Sequence, residues 1–184
     1  MNSSSTIVNV ALADDHTLLR DALAHLINNF DGFRVLISVE NGQELVSAMS
    51  KTIEPDVVLL DLNMPLMDGY ETACWLQTNF PHIHVLMLTM YDSDVILIRL
   101  LKTGVKGFLK KDIHPSELRF ALQSVIQSGY YYSNHATGKL INLFRNNEDV
   151  KIDKKIFSDQ EVEFLKLICT DLTYKEIAIA MHLN

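Results

Sequence analysis

A handful of positions in this chain carry groups that could act together on a phosphorylated substrate. Carboxylates stand at Asp14, Asp15 and Asp61, a hydroxyl at Thr89, and an ammonium at Lys110 or Lys111. Taken singly, each has an ordinary explanation, since acid pairs cap helices, threonines close turns and paired lysines sit on solvated edges. What sets them apart is that each follows an apolar run: "VALA" before Asp14, "VVLL" before Asp61, "VLML" before Thr89 and "GFL" before the lysines. Carboxylates gathered on one edge repel one another and resist ionising unless a cation compensates them. Hard oxygen donors in a small, partly hydrated site suit Mg2+, with Mn2+ as a substitute. A carboxylate held rigidly beside such a cation is a nucleophile aimed at phosphorus, while a hydroxyl and an ammonium can hold the transferred oxygens. Asp61 is the acceptor that this pattern picks out.

The elements that must position these groups follow from periodicity. Apolar runs at 7–13, 33–39, 57–60, 84–88 and 107–109 alternate with longer amphipathic stretches, which predicts five βα units. Continuous Val/Leu runs, as in Val57 to Leu60, mean strands covered on both faces, so the architecture is a doubly wound parallel sheet. In such a sheet, ligands gather beyond the carboxyl ends of the strands, where Asp14, Asp15, Asp61, Thr89 and the lysines all fall. The first helix is expected to bury Leu18, Leu19, Ala22, Leu23 and Leu26, the second to start at an Asn41 cap with Glu44 completing a capping box, and the last to run from Pro115 to a stop at Gly129.

Those boundaries place one α/β domain at 1–129 and a linker at 130–157 containing a possible helix from Ala136 to Phe144. A small helical segment follows at 158–184. In it, Ser158 with Glu161 and Thr173 with Glu176 open two short helices, the start of a helix-turn-helix too small to bury its own core.

Across 184 residues, 48% are hydrophobic and 21% charged, which excludes a disordered chain. The formal charge of -7 comes mainly from residues 1–130, with nine Lys/Arg against fifteen Asp/Glu; an acidic whole still leaves room for a local DNA-reading face. No apolar stretch approaches the roughly 20 residues that span a bilayer, and "MNSSST" lacks the features of a signal peptide, so a cytoplasmic location without membrane partners is expected. Cys74 and Cys169 lie in separate apolar segments and read as buried thiols.

The segments "ALADDH", "VVLLDLNMPLMDG", "VLMLTMYD" and "GVKGFLKKD" resemble, in order and spacing, the receiver domain of two-component response regulators. That resemblance implies a flavodoxin-like five-stranded sheet ordered 2-1-3-4-5 and a sensor histidine kinase as phosphodonor. Asp61 is then the phosphoacceptor; Asp15, Asp61 and the Asn63 backbone carbonyl hold Mg2+ directly, and Asp14 holds it through water. Thr89 and Lys111 bind the phosphoryl oxygens, the spacing from the aromatic Phe108 selecting Lys111 over Lys110. Thr89 and Phe108 are the implied switch pair. Many receivers place a proline after this lysine, often with a cis peptide, where this chain has Asp112; they also carry a small residue at the place of Met90.

The tail "SDQEVEFLKLICTDLTYKEIAIAMHLN" resembles the start of a NarL/LuxR-type output domain. The recognition helix that such a domain lays in the major groove has no counterpart in the sequence, so no DNA-contacting residue is expected within it, and a longer protein is implied. Phosphorylation-dependent homodimerisation and transcriptional control through DNA follow from the resemblance. A protein-interaction output is the alternative. A phosphohydrolase with a strand-end Asp nucleophile would want a second carboxylate two residues on, where this chain has Asn63.

Overall fold

The computed structural model describes residues 7–49, 54–90, 100–101 and 103–133. The predicted helices within 134–184, and Val95, Ile96 and Ile98 of the segment between the fourth and fifth strands, lie outside the described residues. Chain order is β1 (Val8–Ala13), α1 (Thr17–Asn28), β2 (Phe33–Val39), α2 (Gly42–Met49), β3 (Val57–Asp61) and α3 (Gly69–Asn79). It continues with β4 (His84–Thr89), β5 (Gly107–Lys110), α4 (Pro115–Ser128) and β6 (Tyr131–Tyr132).

Every residue of β3 is buried, and its alternate side chains enter opposite layers. Val58 and Leu60 join Leu45 of α2 and Leu76 of α3 on one face, whereas Val57 and Leu59 join Leu23 and Ile27 of α1 and Leu118 and Val125 of α4 on the other. Each such aliphatic side chain contributes about 1.5–3 kcal/mol on leaving water, so this strand anchors both layers. All strand pairings are parallel, in the order β2-β1-β3-β4-β5-β6. The chain reverses its direction across the sheet after β2, and the carboxyl ends of β1 and β3 meet at that switch point.

The expected strand order holds, but the sheet has six strands where five were expected. Tyr131 and Tyr132 pair with Gly107 and Phe108 of β5. Two residues are too few to show alternation, and a run of tyrosines after a helix-stopping glycine reads as the start of a linker. Packing makes the strand: the Tyr131 ring meets Phe120 of α4 at 6.0 Å, its hydroxyl donates to Glu117 at 2.9 Å, and the Tyr132 ring lies 6.2 Å from Phe108.

Local signals behaved as their chemistry demands. Glu44 N–H donates to Asn41 Oδ1 at 3.0 Å, while the Glu44 carboxylate reaches the Glu40 N–H at 3.2 Å, one residue before the expected partner. Gly129 ends α4 at φ 85, its N–H donating to the Val125 carbonyl. The buried stripe of α1 is rotated from the expected one: Arg20, Leu23 and Ile27 are buried, and Leu18 and Ala22 are exposed. Cys74 is half-buried on α3 and is a free thiol. Among the described residues, no helix is long and apolar enough to cross a membrane.

Candidate functional site

Three strand ends and the loop after β5 converge. Asp14 follows β1 and is 1% exposed, Asp61 ends β3 at 3%, and Thr89 ends β4 at 5%. Burying two carboxylates side by side is costly, and one cation answers both: Lys111 Nζ lies 2.9 Å from Asp14 Oδ2 and 2.8 Å from Asp61 Oδ2. Lys110, its neighbour in sequence, is exposed. Both contacts are ion pairs made by carboxylate oxygens shielded from solvent. One ammonium thus serves both carboxylates, and each oxygen keeps a lone pair for a further electrophile.

Burial pushes the Asp61 carboxyl above the usual carboxylate range. The Asp14 charge adds to the rise, and the Lys111 ammonium and the Asn63 backbone N–H oppose it without cancelling it. For Lys111, burial would lower the pKa, but its hydrogen bonds and charge contacts with Asp61 and Asp14 win and hold it above the ordinary lysine value.

The backbone around Asp61 is fixed by its own sequence. Asp68 caps α3 with a complete capping box, accepting from Glu71 N–H at 2.8 Å while the Glu71 carboxylate accepts from Asp68 N–H at 3.3 Å. Gly69 N–H donates to the Leu62 carbonyl at 2.9 Å. A Cβ at Gly69 would collide with the Asp61 carbonyl oxygen and the Leu62 Cα. Glycine is what allows the start of α3 to press against the acceptor strand.

The first acidic loop has its own brace. Arg20 Nη1 donates to the Asp14 carbonyl at 2.6 Å and Nη2 to Glu40 Oε1 at 3.2 Å. Arg20 was not among the expected site residues; its position three residues before Leu23 on the buried stripe was the available signal, because a buried guanidinium requires partners. Asp15 is exposed beside the buried pair. His16, the exposed residue at the start of α1, has Nδ1 2.8 Å from Asp15 Oδ1.

Thr89 accepts a backbone bond at its carbonyl from Lys111 N–H at 3.3 Å, which ties β4 to the lysine loop. Phe108 is buried in β5 at 3% exposure, Met90 is exposed at 73%, and the Lys111–Asp112 peptide is trans, as no cis bond occurs among the described residues. Ligand atoms of Asp14, Asp15, His16 and Asp61 all lie within 4.8 Å of one another. With two buried carboxylates that share a single ammonium between them, that donor set fits a small divalent cation.

The profile of the response regulator receiver domain matches residues 10–123, more than half of the chain. The chain belongs to the response regulator receiver family. Its relatives include the transcriptional regulatory protein DegU of Brevibacillus brevis, 32% identical over 86% of this chain and 67% of that protein. The oxygen regulatory protein NreC of Staphylococcus epidermidis is 32% identical over 92% of this chain and 80% of that protein. Among solved structures, the receiver domain of the putative response regulator NarL from Mycobacterium tuberculosis is 27% identical, with a TM-score of 0.62 over 67% of this chain and 98% of that one. A LuxR-family two-component response regulator from Aurantimonas sp. SI85-9A1 shares the fold at a TM-score of 0.69, with 22% identity over 75% of this chain and 98% of that one. The chain is thus a response regulator of NarL/LuxR type.

Proposed function

We propose that this response regulator accepts a phosphoryl group on Asp61 from the phosphohistidine of a sensor histidine kinase. The observation that carries the reading is the Lys111 ammonium held at 2.8 and 2.9 Å between two buried carboxylates, one of them Asp61. In the transfer, an Asp61 oxygen attacks phosphorus, the P–N bond of the donor breaks, and its electron pair leaves on the imidazole nitrogen. Thr89 and Lys111 bind the equatorial phosphoryl oxygens, and the rigid β3 end holds the nucleophile in line.

Asp15, Asp61 and the Asn63 carbonyl would hold Mg2+, or Mn2+ in its place, with Asp14 acting through water. Bound there, the ion neutralises charge on the carboxylates and the incoming phosphoryl group. Without it, Asp61 faces a dianionic donor from a site already rich in acid.

Phosphorylation replaces one negative charge near Lys111 by two and draws the Thr89 hydroxyl toward the new oxygens. Space vacated by Thr89 lets Phe108 change rotamer, which biases a pre-existing equilibrium of the surface around β5. Homodimerisation and a DNA-binding output are the readout, controlling transcription in the cytoplasm. Relatives named as transcriptional regulatory proteins support that output. The protein's chemistry is regulatory, confined to gain and loss of its own phosphoryl group. Beryllofluoride with Mg2+ is expected to shift the oligomeric state measured by light scattering in the wild type and not in Asp61→Asn; an identical mass in all conditions would refute the switch.

A further inference from the structure

Two helices of this domain begin after a histidine, and the two rings do different work. At the start of α4, His114 caps its helix, Nδ1 accepting from the Ser116 N–H at 3.3 Å. At the start of α1, His16 makes no capping bond with its side chain. Its Nδ1 is turned instead toward the acids, 2.8 Å from Asp15 Oδ1 and 3.2 Å from Asp14 Oδ1, with Lys111 Nζ at 3.3 Å. The backbone supports this pose, since His16 N–H donates to the same Asp14 Oδ1 at 2.8 Å. The ring stays two-thirds open to solvent, at 67% exposure, while its Nδ1 edge lies against the cluster.

We infer that His16 Nδ1 is a ligand of the cation that Asp15 and Asp61 hold, and that it sets which ion the site prefers. This rests on the reading of the acidic cluster as a cation site. Mg2+ takes oxygen donors almost exclusively, whereas first-row transition ions gain from an imidazole nitrogen. A set of carboxylate oxygens plus one imidazole nitrogen within 4.8 Å of one another therefore favours a borderline divalent ion over Mg2+. The two buried oxygens, Asp14 Oδ2 and Asp61 Oδ2, both face Lys111 Nζ, at 2.9 and 2.8 Å, so a cation drawing on them shares them with that ammonium. His16 thereby makes the regulator's loading depend on the supply of such ions as well as on the kinase.

Mn2+ is the probe, because its pulsed electron paramagnetic resonance spectrum registers a directly bound nitrogen. Wild-type protein saturated with Mn2+ is expected to show nitrogen coupling that disappears in both His16→Phe and His16→Asn. Calorimetric titration of the two ions is expected to show the Mn2+ to Mg2+ affinity ratio falling about tenfold in each variant. Mn2+ bound without nitrogen coupling, coupling that survives in both variants, or an unchanged affinity ratio would each overturn the role of His16 while leaving the acidic cation site standing. If wild type binds neither ion, the cation site falls too, and the inference with it.

Discussion

Replacing Lys111 by Met tests whether one ammonium neutralises the buried acid pair. Each contact, at 2.8 and 2.9 Å, is worth roughly 6 kcal/mol in an effective dielectric of about 20, and most of that sum offsets the cost of burying the charges. Breaking a buried pair by deleting one partner costs about 3–5 kcal/mol in general. A ceiling comes from protonation: at pH 7.5, putting a proton on a carboxyl of ordinary pKa costs about 5 kcal/mol, and at pH 5 only about 1.5 kcal/mol. Lys111→Met should therefore lose about 3 kcal/mol at pH 7.5 in EDTA, a fall of roughly 10 °C in melting temperature.

The sign of the pH dependence follows from Asp61. Its folded pKa is already raised, so its contribution to stability is fully present below the unfolded value and is lost as pH rises through the folded one. Without Lys111 the folded value rises further, and the deficit of the variant must shrink toward pH 5. Urea titration followed by the fluorescence of Trp75, the chain's single tryptophan, reads both quantities. A loss below about 1 kcal/mol at pH 7.5, or an equal loss at both pH values, would refute the reasoning.

Asp61→Asn removes a carboxyl that burial penalises and leaves Lys111 paired with Asp14, so metal-free protein should gain on the order of 1–2 kcal/mol at neutral pH, with the gain vanishing below the unfolded carboxyl pKa. Denaturant midpoints across pH check it, and a neutral-pH loss would contradict it. Gly69→Ala pushes a methyl into the Asp61–Leu62 backbone and should cost about 1–3 kcal/mol and slow phosphoryl uptake; unchanged stability and labelling would show that α3 can retreat freely. Arg20→Met leaves the buried Asp14 carbonyl without its guanidinium and should cost about 1–3 kcal/mol while weakening Mg2+ binding in calorimetry; unaltered binding would show that the first loop holds its shape unaided.

Much of this site was legible because the fold converts strand ends into neighbours. Once Val57 to Leu60 reads as a strand buried on both faces, Asp61 must emerge at its carboxyl end, and Asp14 and Thr89 follow by the same logic. Periodicity could not tell Lys110 from Lys111; the fold turns Lys111 inward and leaves Lys110 exposed. The strand Tyr131–Tyr132 was missed because its stability comes from long-range packing on Phe108 and Phe120, which no local pattern encodes. Leu18 was assigned to the core from helical spacing, yet it is 88% exposed, because the stripe that meets the sheet runs through Arg20, Leu23 and Ile27.

Mass spectrometry of the protein after exposure to a small-molecule phosphodonor, with and without divalent cation, tests the central claim most directly. The account predicts one added phosphoryl group, mapped to the peptide bearing Asp61, dependent on the cation and absent from Asp61→Asn. Equal labelling of that variant, or labelling unaffected by removing the cation, would contradict it.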